Sequence, residues 1–274
     1  MDYYKFEFTN AKVSYEILLA FLGQLDFDCF EEEENALYAY LPKALLKEEL
    51  LTEISALKAQ FPFDYQKTLV PSQNWNKDWE ANFKPILIDD FCLVRADFHE
   101  GNGSVEQELI INPKMAFGTA HHETTYSMIK SMRGLDWKDK NVLDYGCGTG
   151  ILAILAAKLG ANPILAIDIE EASYENTLEN AEINQISNIE VKQGDLNVVE
   201  EKGFELILAN INRNVILASL PALYEMLVTG GQLMISGFRI EDQTLVETTA
   251  KEHGFIISNS MRRNEWLCQI LTKQ

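Results

Sequence analysis

Between Val142 and Asp168 several elements follow one another in an order that few folds can use. Val142-Leu143-Asp144-Tyr145 is an apolar, strand-like run, and Gly146-Cys147-Gly148-Thr149-Gly150 is a glycine turn. The stretch Thr149–Leu159 has helical character, and Pro163–Asp168 is a second apolar strand ending on an acid 22 residues after Gly146. A strand that turns through glycines into a helix and returns as another strand is a βαβ unit, which implies a parallel sheet covered by helices. Glycines let the backbone bend tightly and let a ligand approach it closely. The start of the helix offers N–H groups to a carboxylate or phosphate. An acid at the end of the second strand can accept both hydroxyls of a ribose. Together these features predict a site for a nucleoside-containing cofactor. A dinucleotide fingerprint wants glycine at the sixth place of G-x-G-x-x-G; here that place is Ile151, with glycine at Gly150 instead, which argues against a nicotinamide dinucleotide.

The α/β reading extends from residue 85 to the end. Ile86–Val94 and Glu108–Ile111 read as a leading hairpin, and Thr124–Arg133 as a helix. Beyond the βαβ unit come helix Glu170–Asn184, strands Ile189–Gln193 and Phe204–Ala209, helix Asn214–Leu227 and strand Gln232–Ser236. Helix Glu241–His253 and strands Phe255–Asn259 and Glu265–Leu271 complete the chain, and Pro221 is expected to split its helix or start a new one. Residues 1–70 differ in character: thirteen carboxylates face six lysines, and strand-like runs (Tyr3–Phe8, Ala36–Leu41, Phe63–Leu69) alternate with helical spacing over Ser14–Leu25 and Leu45–Gln60. The acidic run Glu31–Glu34 reads as a turn between them. Two such βα-type units predict a small α+β sandwich, ferredoxin-like in layout. Residues 71–84 read as a linker, with a short helix over Trp75–Lys84 carrying Trp75, Trp79 and Phe83 on one side.

The formal net charge of −19 leaves no basic footprint for nucleic acid, so direct nucleic-acid binding is not expected, and a macromolecular partner should be cationic. The N-terminus lacks a basic region followed by an apolar stretch, and the most apolar segment, Ile151–Ile167, is broken by Lys158, Asn162 and Pro163. Neither export nor membrane insertion is therefore expected. Four well-separated cysteines with no CxxC pair fit buried thiols in a reducing cytoplasm. His121-His122-Glu123 offers no H-x-x-x-H spacing, so no metal is expected there; these residues read as a loop or helix start lining the cofactor site, with Thr124 or Thr125 capping the helix.

The pattern Asp144-x-Gly146-Cys147-Gly148-Thr149-Gly150 resembles motif I of class I S-adenosylmethionine-dependent methyltransferases. Two further segments, Asn112-Pro113-Lys114-Met115-Ala116-Phe117-Gly118-Thr119-Ala120-His121-His122-Glu123-Thr124-Thr125 and Leu208-Ala209-Asn210-Ile211-Asn212, narrow the resemblance to the ribosomal protein L11 methyltransferases, as do Asn180-Ala181 and Asn184 after Asp168. It covers the chain from about Trp79 to the end. It implies a seven-stranded, doubly wound α/β sheet with an antiparallel last strand, preceded by a small N-terminal α+β domain. It implies S-adenosyl-L-methionine as cofactor, held by Asp144, Gly146, Gly148, Asp168, Asn210 and Thr125. There are departures: Asn112-Pro113-Lys114 replaces the usual D-P-G, Ala120 stands where glycine is frequent, and Asn212-Arg213 follows the A-N-I segment.

The resemblance further implies methyl transfer to lysine side chains and the N-terminal amine of a basic large-subunit ribosomal protein, by a cytoplasmic monomer whose acidic N-terminal part recognises the substrate. Asn210, at the carboxyl end of a core strand, is the expected catalytic residue, accepting hydrogen bonds from an amine to aim its lone pair. Two alternatives remain open from the residues alone. One is a class I methyltransferase with a different protein or small-molecule substrate; a glutamine-directed enzyme would want N-P-P-Y where Asn210-Ile211-Asn212-Arg213 stands. The other is a non-catalytic regulator that binds the cofactor.

Overall fold

A computed structural model describes residues 3–33, 35–70, 84–101, 103–112, 114 and 116–274. The chain divides into two compact units, Met1–Asn82 and Phe83–Gln274. The helix expected over Trp75–Lys84 lies, apart from Lys84, outside the described residues.

In the first unit, strand β1 (Tyr3–Thr9) leads to helix α1 (Tyr15–Leu22), strands β2 (Cys29–Glu33) and β3 (Ala36–Pro42), helix α2 (Glu48–Gln60) and strand β4 (Asp64–Val70). The sheet order β2-β3-β1-β4, antiparallel throughout, is the ferredoxin-like layout. Period-2 alternation sends Phe6, Phe8, Leu37, Ala39 and Leu41 to one face, where Leu18, Leu22, Leu50 and Ile54 of the helices cover them. Three residues of the acidic run do not form a turn: Glu31, Glu32 and Glu33 lie in β2, the edge strand, paired with Tyr38, Leu37 and Ala36, while Glu34 lies outside the described residues. A strand at an edge tolerates charge because only one side of it is paired.

The second unit opens with a three-stranded sheet: β5 (Ile86–Ile88), β6 (Cys92–Arg95) and β7 (Gln107–Ile110). The expected hairpin is displaced. The turn falls inside the first apolar run, where Asp89 takes φ 50°, and β7 then pairs with β6 in parallel rather than closing a hairpin. Asp89-Asp90 was the turn signal within that run.

Helix α3 (Glu123–Met132) precedes the main sheet. The remaining elements are β8 (Val142–Tyr145), α4 (Ile151–Lys158), β9 (Ile164–Asp168), α5 (Glu171–Ile183), β10 (Ile189–Gln193), β11 (Phe204–Asn210), α6 (Arg213–Met226), β12 (Leu227–Arg239), α7 (Gln243–Glu252), β13 (Phe255–Arg263) and β14 (Trp266–Lys273). The seven strands run in the order β10-β9-β8-β11-β12-β14-β13, parallel except for β14, which is antiparallel to both of its neighbours. Val142, Ile164, Ala166, Leu206 and Leu208 face α3 and α4, while Leu143, Leu165, Ile167, Ile207 and Ala209 face α6 and α7. Burial on both faces is why these strands read as near-continuous apolar runs. Pro221 does not interrupt α6. It sits on the exposed side, and the buried stripe Ile216, Leu220, Leu223 and Met226 continues past it.

Candidate active site

The carboxyl ends of β8, β9 and β11 open onto a cavity of about 570 Å³. The turn after β8 forms its floor. Gly146 N–H and Cys147 N–H both donate to the Ile167 carbonyl, at 2.8 and 3.0 Å, which ties the turn to β9. Gly146 and Gly148 take φ of 75° and 56°, a region that penalises any side chain. A Cβ on Gly146 would strike Ile211 Cγ2, and one on Gly148 the carbonyl of Phe117. The turn is therefore wedged between two neighbouring loops, and only main chain fits there. The amides of Gly146, Cys147, Gly148, Thr149, Gly150 and Ala153 all have protein acceptors, so these donors are not left for a ligand anion as the sequence had suggested.

Asp168, the last residue of β9, lines the cavity. One carboxylate oxygen accepts from Gly148 N–H at 2.9 Å and the other from Glu170 N–H at 3.0 Å. These two bonds fix the plane of the carboxylate and leave each oxygen with lone-pair capacity for a further donor. Asn210 ends β11 on the same rim. Its Nδ2 donates to Thr125 Oγ1 at 3.1 Å, while its Oδ1 is buried and has no hydrogen-bond partner among the described residues. Asp144 lies beneath the turn, fully buried and outside the cavity wall. Its Oδ2 accepts from Ala153 N–H at 3.0 Å, and its other oxygen has no partner among the described residues. Burial pushes its carboxyl up to about 7, with Asp168 adding like-charge repulsion. Thr125 is fully buried too and does not line the cavity.

Aromatic rings also line the cavity: Phe117, His122 and Trp266. His122 makes edge contacts with Phe117, centroids 5.4 Å apart, and with Trp266 at 4.7 Å. The cap of α3 is His122 rather than either threonine: its Nδ1 accepts from Thr124 N–H at 3.3 Å. His121 engages Thr119 instead. Trp266 reaches the cavity because β14 is inserted beside β12, pairing it with Arg239 at the end of the sheet where ligands bind. No local spacing in the sequence announces that contact.

One supporting device was only half visible in the sequence. Asn176 and Asn180 on α5, and Asn184 at its C-terminal cap, stand at i, i+4 and i+8, and all are buried. Asn184 exchanges hydrogen bonds with the Ile110 main chain at 3.0 and 2.6 Å. Asn180 accepts from Asn112 N–H at 3.0 Å and donates to the Thr149 carbonyl at 2.9 Å. Asn176 donates to the Asn112 carbonyl at 2.8 Å. This ladder fastens the segment after β7, and the glycine turn, to one rigid helix. The repeating N-x-x-x-N spacing was the available signal.

A 3-2-1-4-5-7-6 sheet, counted from the strand that carries the glycine turn, together with an acid closing the second strand, defines a class I methyltransferase. The family profile described as ribosomal protein L11 methyltransferase (PrmA) matches residues 21–274. A curated protein of that name from Porphyromonas gingivalis is 43% identical over 276 residues, covering 96% of this chain and 94% of the relative. One from Phocaeicola vulgatus is 40% identical, covering 97% of each chain. The crystal structure of ribosomal protein L11 methylase from Lactobacillus delbrueckii subsp. bulgaricus superposes with a TM-score of 0.63 at 31% identity, covering 70% of this chain and all of that one. The chain belongs to the ribosomal protein L11 methyltransferase family.

Proposed function

We propose that the chain binds S-adenosyl-L-methionine in this cavity and transfers methyl groups to lysine side chains and the N-terminal α-amine of a basic large-subunit ribosomal protein; its relatives are named as methyltransferases of ribosomal protein L11. The observation that carries this reading is Asn210 Oδ1, a buried acceptor without a partner among the described residues, on a residue that lines a glycine-floored cavity. The residues fit the cofactor. The volume is of the size that encloses a small ligand. Gly146 and Gly148 keep the floor free of side chains, and Asp168 has lone pairs free for two ribose hydroxyls. Asp144 and Thr125 support the site from behind.

The cofactor, when bound, supplies a methyl group already activated on a sulfonium. The chain's own task is to present a neutral amine in line and to exclude water. Orientation alone can contribute up to about 7–11 kcal/mol. Deprotonating a lysine of pKa about 10.4 near pH 7.5 costs about 4 kcal/mol, and an α-amine of pKa about 8 under about 1 kcal/mol. Burial beside a positive group lowers either value. A dedicated strong base is then unnecessary, and Asn210 Oδ1, with the carbonyls of Asn210 and Ile211, accepts the amine N–H groups and aims the lone pair. The acid-rich first unit is the recognition module for a cationic substrate. The chain works as a cytoplasmic monomer without contacting nucleic acid.

The test incubates the protein with labelled S-adenosylmethionine and ribosomal proteins, both free and assembled. One labelled band, identified by mass as a basic large-subunit protein methylated on amines, is expected. Calorimetry that finds no association with the donor or its demethylated product would overturn the reading. Binding without turnover on any ribosomal fraction would favour a regulator instead.

A further inference from the structure

Ile211 is the first residue beyond β11, and it lies between two positions where no side chain fits. On one side is Gly237 of β12, at φ 105°, the residue that the pairing of β12 with β14 skips between Ser236 and Phe238. A Cβ there would overlap the Ile211 carbonyl oxygen and stand 2.7 Å from the carbonyl carbon and 3.2 Å from the nitrogen. The Ile211 N–H also donates to the Ser236 carbonyl at 3.2 Å, so its main chain is seated on β12. On the other side is Gly146, in the turn after β8. A Cβ there would strike a single Ile211 methyl, Cγ2; the next Ile211 atom, its own Cβ, lies 3.8 Å away, an ordinary contact. Ile211, Gly146 and Gly237 all line the cavity.

We propose that Ile211 is a spacer, a positioning residue whose Cγ2 methyl sets the separation between the glycine turn and the Asn210-Ile211 loop. The role of that loop, presentation of the amine, rests on the function proposed above. Close-packed atoms keep a fixed separation, and without the methyl the loop can shift across the gap. The turn itself stays in place, because its own bonds to Ile167 and Asp168 do not pass through Ile211. Methyl transfer needs the amine in line with the bond that breaks, so a displaced loop loses rate while the cofactor keeps its seat. The property required at this position is a branched Cβ, whose stiff geometry keeps one methyl on the turn while the other arm packs against the core cluster that includes Leu143 and Tyr145.

The test compares Ile211→Val, which keeps the branch at Cβ, with Ile211→Leu, which keeps the volume without it, and with Ile211→Ala. Calorimetry with S-adenosylmethionine alone and kcat and KM toward the ribosomal protein are measured in the full chain. Ile211→Leu and Ile211→Ala should lower kcat about tenfold or more with the cofactor Kd kept within about threefold, since a small misplacement of reacting groups costs up to about a hundredfold in rate. Ile211→Val should recover kcat to within about threefold of wild type. A readout independent of activity is a cycle with Gly146→Ala, followed as the Tm of the cofactor-free protein. With Ile211 present the added Cβ meets Cγ2 and also bears left-handed strain; in Ile211→Ala only the strain remains, so the loss in Tm should be smaller by about 2 °C or more.

An Ile211→Leu protein as active as Ile211→Val would overturn the proposal, because volume rather than the branch would then matter. A cofactor Kd weakened about tenfold or more with kcat preserved would make Ile211 a cofactor contact and overturn it too. So would a Gly146→Ala loss equal in the two backgrounds. If the wild-type protein methylates no ribosomal protein, the function proposed above fails, and the Gly146 cycle still decides whether Ile211 spaces the loop from the turn.

Discussion

At Gly148 a single added methyl group has nowhere to go. The backbone already sits at a positive φ, and the position of a Cβ is taken by the Phe117 carbonyl. Gly148→Ala should therefore move the turn off its seat. Calorimetry should show cofactor affinity falling more than about tenfold, with a stability loss of at least the roughly 1–2 kcal/mol of left-handed strain seen in denaturant unfolding. Asp144 makes a pH-dependent prediction. Its folded value is raised from 3.8 to about 7, so across that window the native state keeps a proton that the unfolded chain has released. Stability therefore falls as pH rises from about 4 to about 7, and the full penalty, on the order of a few kcal/mol, persists above it. Asn at this site mimics the protonated acid, so the Tm advantage of Asp144→Asn over wild type in the cofactor-free protein should grow from pH 5 to pH 8. A constant or shrinking difference would show that the carboxyl is not desolvated as described. At this scale the sequence announced the glycines, Asp168 and Asn210, because a turn and a strand end are local events. The Thr125–Asn210 bond is beyond its reach, since only the assembled sheet brings α3 against β11.

Among the elements, α5 shows how polar residues can fasten a fold. Asn180→Ala strands the Asn112 N–H and the Thr149 carbonyl, both otherwise satisfied by that side chain. At about 1–3 kcal/mol for each buried group left unpaired, the variant should lose on the order of 2–4 kcal/mol in urea unfolding. Cofactor binding should weaken with it, because the glycine turn is one of the two segments released. A neutral outcome would mean that water replaces the side chain. Element types were largely legible because burial on two faces writes apolar runs and burial on one face writes alternation. The misreadings share a cause. Glu31–Glu34 reads as a turn because charge usually marks loops, yet Glu31–Glu33 lie in an edge strand, which accepts it. Pro221 looked like a break because its exposed setting, where a lost hydrogen bond is replaced by water, is not written in the local pattern. The parallel pairing of β7 with β6 depends on a turn at Asp89 hidden within an apolar run.

The whole molecule carries a formal charge of −19. If the substrate is basic, long-range attraction should speed encounter, and salt should remove that advantage because the screening length shrinks to about 8 Å at physiological ionic strength. Methylation of the ribosomal protein should show kcat/KM falling several-fold between about 50 and 300 mM salt, with kcat nearly constant. A flat profile would sever charge from substrate choice. Composition gave the sign of this field, but its placement on named elements required the fold. The outer strand of the ferredoxin-like sheet has the last word on that placement. A strand edge is a template on which another chain can add its own strand, and a copy that pairs its β2 with this β2 sets Glu31, Glu32 and Glu33 against their own duplicates. Mutual repulsion thus guards against fibril growth while the protein is concentrated, and that guard should fail in acid, where protonated carboxyls no longer hold neighbours apart.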